Sequence, residues 1–310
     1  MNKALRLSVS PHIHSGRSTA GIMRHVLISL IPAVIAGSVI FGLRALLVLA
    51  VCTASCVLAE FLFTLITKKE RTIGDFSAAV TGLILGLNLP AGIPLWQCVV
   101  GSVFAIIIVK CLFGGIGSNL VNPAITARVF MLVAFGSMAT QSFPTIVDTV
   151  SGATPLAVLA EGGEYKLTDL LFGIHGGAIG ETCAIALLIG FIYLLVTRVI
   201  TWHIPVSFVG FVYIGSLLIE GDPMRALMMT LSGGLLLGAI FMATDYVTSP
   251  ATPWGKIIFG FGAALITTLI RYFGVYPEGV SFAILFMNIL TPYIDEWTKY
   301  KVFGAGGKKA

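Results

Sequence analysis

Thr154 closes the run Asp148-Thr149-Val150-Ser151-Gly152-Ala153-Thr154, and Pro155 follows it. Two tiny residues stand before the hydroxyl, and an acid stands six positions before it. This is the pattern of an acceptor hydroxyl that a modifying enzyme can reach. Nucleophilic attack by such an oxygen needs exposure and a backbone slim enough to enter another active site. Gly152 and Ala153 give that clearance, and the proline biases Thr154 away from the helical region. Asp148 is placed to assist the modifying enzyme or its metal ion. Ser-Gly-Ala-Thr-Pro is also good turn chemistry, so an ordinary polar loop is the alternative.

Two further constellations carry chemistry. The turn Gly114-Gly115-Ile116-Gly117-Ser118-Asn119 leads to Asn122-Pro123-Ala124, with Arg128 one helical turn further on. Backbone N–H groups in such a turn, with the arginine, suit an anionic or ring-rich ligand. A tight helix connection with a snorkelling arginine is the competing reading. In the second half, Thr244-Asp245-Tyr246-Val247-Thr248 puts an acid between two hydroxyls at the end of an apolar run. An acid at that depth points to a flavin or cation site, against a helix end capped by its own polar residues. Cys52, Cys56, Cys98, Cys111 and Cys183 all lie in apolar runs, where thiols act as small hydrophobes. Neither they nor His12, His14, His25, His175 and His203 are grouped as metal ligands, so no metal site is expected.

The elements that position these residues must be membrane helices. The chain has 310 residues, 57% hydrophobic and 11% charged, whereas soluble domains carry about 25% charged residues. Lipid therefore replaces water over most of the surface, and the net charge of +5 reflects membrane orientation rather than nucleic-acid binding. The N-terminus lacks the form of a cleaved signal. Ten apolar spans are predicted, at 25–42, 45–66, 75–90, 95–113, 124–140, 179–198, 204–220, 225–243, 255–273 and 279–294. With the N-terminus in the cytoplasm, fifteen Lys and Arg residues fall inside and four outside. Both termini are then cytoplasmic and the Thr154 loop is extracytoplasmic, provided that the short third span crosses rather than re-enters. Thr81-Gly82-Leu83-Ile84-Leu85-Gly86 is similar to Gly233-Gly234-Leu235-Leu236-Leu237-Gly238, five spans later. That offset reverses direction, so an all-α, five-plus-five inverted repeat is expected.

Several segments together resemble one family. They are Ser10-Pro11-His12-Ile13-His14-Ser15-Gly16, Lys110 to Gly117, Asn122-Pro123-Ala124, Ser151 to Leu156 and Phe241-Met242-Ala243-Thr244-Asp245. The family is that of the D-type membrane component of the Rnf complex, related to the B-type membrane component of the sodium-translocating NADH:quinone reductase. The resemblance runs from residue 10 to about 295. Tyr246, where the family pattern has proline, is a departure in the second-half site.

The resemblance implies a flavin-bearing membrane subunit that relays electrons between ferredoxin and NAD, coupled to Na⁺ or H⁺ transport. It identifies Asp148 to Thr154 as a flavin-transferase acceptor, with FMN held by a phosphoester on Thr154. A riboflavin held noncovalently is also implied, with Asn122, Arg128, Thr244, Asp245 and Thr248 as candidates for a second flavin or cation site. The other complex subunits, a maturing flavin transferase and the inner-membrane bilayer are the expected partners. The chain then divides into a cytoplasmic arm (1–24), a first five-helix half (25–140) and the flavin-bearing loop (141–178). A second half (179–294) and a cytoplasmic tail (295–310) follow. A solute transporter or channel with an inverted-repeat fold is the rival, and covalent flavin separates the two.

Overall fold

A polar residue followed by proline starts four helices: Asn122-Pro123, Thr154-Pro155, Asp222-Pro223 and Thr252-Pro253. In each, the side-chain oxygen accepts a backbone N–H of the first turn. Proline costs nothing there because its missing N–H would have no partner in the helix. The structure is a computed structural model that describes residues 18–68, 73–136, 154–163, 165–274 and 279–300. Asp148, Ser151, Gly152 and Ala153 lie outside the described residues.

The described residues are helical nearly throughout. In the first half lie α1 (Thr19–Phe41), α2 (Leu43–Thr67), α3 (Ser77–Leu87), α4 (Leu95–Cys111) and α5 (Pro123–Ala134). Two short helices follow, α6 (Pro155–Ala160) and α7 (Leu167–Phe172). The second half contains α8 (Ala184–Val196), α9 (His203–Glu220), α10 (Pro223–Leu231), α11 (Leu235–Met242), α12 (Pro253–Phe273) and α13 (Val280–Thr298). Four of these, α1, α2, α9 and α12, are long and apolar enough to cross a bilayer, and α10 with α11 makes a fifth if taken as one broken span. Large apolar side chains such as Ile35, Val39, Leu58, Leu65 and Leu218 point outward. In water such a surface would aggregate; in lipid it is solvated. The protein is a multi-pass helical membrane protein.

Two of the expected spans take a different form. The eighth is broken: α10 and α11 meet at 64°. Gly233 at the break has φ +67°, a left-handed conformation that glycine adopts without strain. The third span is helical only over α3, about 16 Å at 1.5 Å per residue. Its chain continues unwound through Leu89 to Pro94. Arg44, at the start of α2, donates to Ala91 O at 3.2 Å and to Ile93 O at 3.4 Å. Near the other end of α2, Glu60 meets Lys110 of α4. So α4 runs parallel to α2, and the unwound stretch ends level with the start of α2. Close packing of α3 on α2 rests on Gly82 and Gly86. A Cβ on Gly82 would stand 2.7 Å from Thr53 Cα, so only glycine lets these backbones meet.

Candidate functional site

Thr154 is the residue before α6, with φ −61° and ψ 154°, the extended conformation that the following proline demands. Its Oγ1 accepts the Ala157 N–H at 3.2 Å, a bond that uses an oxygen lone pair and not the hydroxyl proton. α6 is docked on the second half. Leu156 and Leu159 pack with Met229 of α10, and Tyr165, Met228 and Tyr272 border the cluster. Arg225 of α10 donates to Leu159 O at 3.0 Å while its Nε pairs with Glu220 at 3.2 Å. The Thr154 hydroxyl therefore sits at the start of a short helix fastened to the broken span.

At the far end of the helices lies a cavity of about 410 Å³, within the range of about 300–1,000 Å³ typical of ligand pockets. Val26 of α1, Val80 and Ile84 of α3, and Ile240 and Phe241 of α11 give it apolar walls. Asn119, Asn122, Thr244 and Asp245 also line it. The structure thus brings together residues from both constellations singled out in the sequence. Asn122 caps α5 through Oδ1, and its Nδ2 donates to Met242 O at 3.2 Å. With its amide turned to satisfy its neighbours, Asn288 accepts from Asn122 N–H and donates to Thr248 O, each at 3.1 Å. Thr248 Oγ1 donates to Asp245 at 3.0 Å, and Thr244 Oγ1 donates to Ile240 O at 2.6 Å. Burial pushes the Asp245 carboxyl up from its ordinary value, and the Thr248 hydroxyl and nearby backbone N–H groups oppose this.

The donor set suits a flavin ring. Asn119 lines the cavity, and its Oδ1 is buried beside it with no hydrogen-bond partner among the described residues, an acceptor that wants a donor. The pyrimidine edge of a flavin carries one N–H between carbonyl oxygens, and the apolar walls suit the fused rings.

Arg128 stands apart from that cavity. Its guanidinium donates to Asn88 Oδ1 at 2.5 Å and to Glu181 at 2.8 Å, all three side chains being buried. Asn88 ends α3, and Glu181 lies in the stretch before α8 that packs under the unwound segment, with Gly180 N donating to Leu87 O at 2.7 Å. A Cβ on Gly234 would stand 2.6 Å from Glu181 Oε1, so this pair also touches the break between α10 and α11. A second buried pair joins Glu60 to Lys110 at 2.9 Å, and Lys110 also donates to Ser77 Oγ at 2.5 Å. Sequence reasoning placed Arg128 with the cavity and did not pair Lys110 at all. Acids and bases in apolar runs were the available signal, but partners 50 residues apart are joined only by packing.

Over residues 6–304 the chain matches the model of the NQR2, RnfD, RnfE family. It is 47% identical to the D-type component of the Na⁺-translocating ferredoxin:NAD⁺ oxidoreductase complex of Acetobacterium woodii, over 97% of this chain and 95% of that protein. It is 40% identical to the proton-translocating counterpart of Clostridium ljungdahlii, over 96% of each. The D-type component of the ion-translocating oxidoreductase complex of Erwinia tasmaniensis is 33% identical over 97% of this chain and 98% of its own length.

Proposed function

The chain belongs to the NQR2, RnfD, RnfE family, and from that membership we propose that it is a flavin-bearing relay within an ion-translocating complex. It is the D-type component of an ion-translocating ferredoxin:NAD⁺ oxidoreductase, and its activity is that of the complex, coupled to Na⁺ or H⁺. The observation that carries this reading is 47% identity along 97% of the chain to a relative of that name. The remaining subunits of the complex are its partners in the bilayer.

The relay is built on two sites. FMN is esterified through its phosphate to Thr154 by a flavin transferase that reads Asp148 to Thr154. Riboflavin occupies the cavity between the halves, with Asn119 and Asn122 toward its polar edge. These groups supply one-electron chemistry that no side chain of the protein offers. The protein's own part is to hold, orient and insulate. Arg225 and the Leu156–Leu159 cluster fix the arm that carries Thr154, and the apolar walls of the cavity seat the fused rings.

The fold supports ten crossings in a five-plus-five inverted repeat. α2 packs on α3 and α4, as α9 packs on α10 and α12; α1 meets α8 and α5 meets α13 across the halves. Such pairing is what a two-fold axis in the membrane plane produces. Helix ends collect at two levels. Lys256 of α12 donates to Thr201, and Thr252 meets Thr298, on the level that holds Lys68, Arg198 and Lys299. Thr154, Glu220 and Arg225 lie on the other. The basic level is assigned to the cytoplasm of the inner membrane, with both termini, and the Thr154 arm to the opposite side. The test is ferredoxin-driven NAD⁺ reduction by the assembled complex. Thr154→Ala is expected to abolish it with all subunits present; wild-type turnover would rule out the arm as an obligatory relay.

A further inference from the structure

Lys110 is among the largest fully buried side chains of the described residues, and neither proposed flavin site assigns it a role. An ammonium is kept in such surroundings only with close partners. It has them in Glu60, at 2.9 and 3.0 Å, and Ser77, at 2.5 Å. Ser77 is held in turn: its N–H and its hydroxyl both donate to Asp75, at 2.8 and 2.5 Å. Lys110 lies in the final turns of α4, which are wound as a π-helix from Phe104 to Cys111. Wide turns of this kind recur at functional sites, because they rotate a side chain out of helical register.

The arrangement is polarised. Lys110 and Ser77 form part of the wall of the 410 Å³ cavity, while Glu60 and Asp75 do not. The cation, Lys110, and the Ser77 hydroxyl therefore stand at the ligand space, and the carboxylates of Glu60 and Asp75 stand behind. Asp245 is on the cavity wall too, just past the end of α11, where its carboxylate accepts from Thr248. The side chains of Lys110 and Glu60 are each only 2% exposed, so water screens this pair weakly and its field acts strongly on its near surroundings.

We propose that Lys110, held by Glu60 and Ser77, is the positioning residue that sets the reduction potential of the flavin bound in this cavity. The inference rests on the riboflavin reading of the cavity and adds the residue that tunes it. A positive charge beside the ring favours the addition of an electron, since the electron's charge is partly neutralised where it arrives. Removing the pair makes the bound ring harder to reduce. Removing only the carboxylate leaves the ammonium uncompensated and makes the ring easier to reduce.

The test uses the full-length chain in detergent, carrying Thr154→Ala so that absorbance reports noncovalent flavin alone. Bound riboflavin is quantified, and its midpoint potential is read by spectroelectrochemical titration. Glu60→Gln with Lys110→Met is expected to keep the flavin and to shift the reduction equilibrium at least tenfold against reduction, about 59 mV for one electron. Glu60→Gln alone is expected to shift it the opposite way, and Lys110→Arg to stay near wild type. Changes of opposite sign cannot come from loosened packing. Unmoved potentials in both Glu60 variants, with flavin bound, would overturn the proposal and leave the cavity reading standing. Loss of flavin from the double variant would also overturn it, making Lys110 a binding group rather than a tuning one. A wild-type chain that binds no noncovalent flavin would overturn both.

Discussion

Replacing Arg128 with methionine keeps an apolar stem of similar reach and deletes the guanidinium. Two charge-assisted contacts disappear, to Glu181 at 2.8 Å and to Asn88 at 2.5 Å. The side chains of Arg128 and Glu181 are only 8% and 2% exposed, so water cannot replace the lost partner. Breaking a buried pair from one side costs about 3–5 kcal/mol, a large fraction of the roughly 5–15 kcal/mol that holds a domain folded. The loss should fall at one place, because the pair joins the end of α3, the stretch before α8 and the α10–α11 break. Arg128→Met with Glu181→Gln removes the charge that the single change strands, so the double variant is expected to be more stable than Arg128→Met alone. The assay is equilibrium unfolding in mixed micelles, with both single variants and the double closing a mutant cycle. A coupling of about 2 kcal/mol or more is expected for residues in one network. Single-variant effects that add to the double within about 0.5 kcal/mol would refute a shared network.

Arg225→Ala removes the bond to Leu159 O and the pair with Glu220. Limited proteolysis of the variant should cut near residues 154–163 several-fold faster than in wild type, with no change in flavin content; equal rates would mean that the arm is held by the Leu156–Leu159 cluster alone. His175 is buried between Gly176 O at 3.0 Å and Thr182 O at 3.1 Å, and desolvation pushes its imidazole below its usual 6.5, with the carbonyl contacts opposing. The folded state thus favours the neutral ring: this stabilisation is complete above pH about 6.5 and is lost as pH falls through the lower folded value. Amide exchange across residues 165–183, corrected for intrinsic rate, should lose protection between pH 7 and pH 5, and a flat profile would contradict the assignment.

The helices were legible in the sequence because apolar runs bounded by polar-proline starts leave little freedom. The expected 45–66 and 204–220 differ from α2 and α9 by at most two residues at each end. What was not legible depends on packing between distant segments. Gly233-Gly234 reads as part of a repeated glycine-leucine motif, and only the fold shows it as a 64° break set against Glu181. His175 reads as a loop residue and Glu181 as part of the span expected at 179–198, yet the helix begins only at Ala184 and the non-helical stretch that carries both is buried. Asn122 and Asp245 were each recognised as site candidates from local chemistry, and they do line one cavity. Arg128, two turns or less along the same helix from Asn122, faces another partner, because helical phase decides which wall a residue serves.

The central claim is that Thr154 carries the flavin, and it is tested most directly on the denatured chain. The protein is co-expressed with a flavin transferase, separated under denaturing conditions and viewed under ultraviolet light. Fluorescence should stay with the wild-type band, because a phosphoester survives denaturation while a noncovalent flavin is lost, and Thr154→Ala should be dark. A band equally bright in Thr154→Ala would place the covalent flavin on another residue, and a dark wild-type band would remove it from this protein.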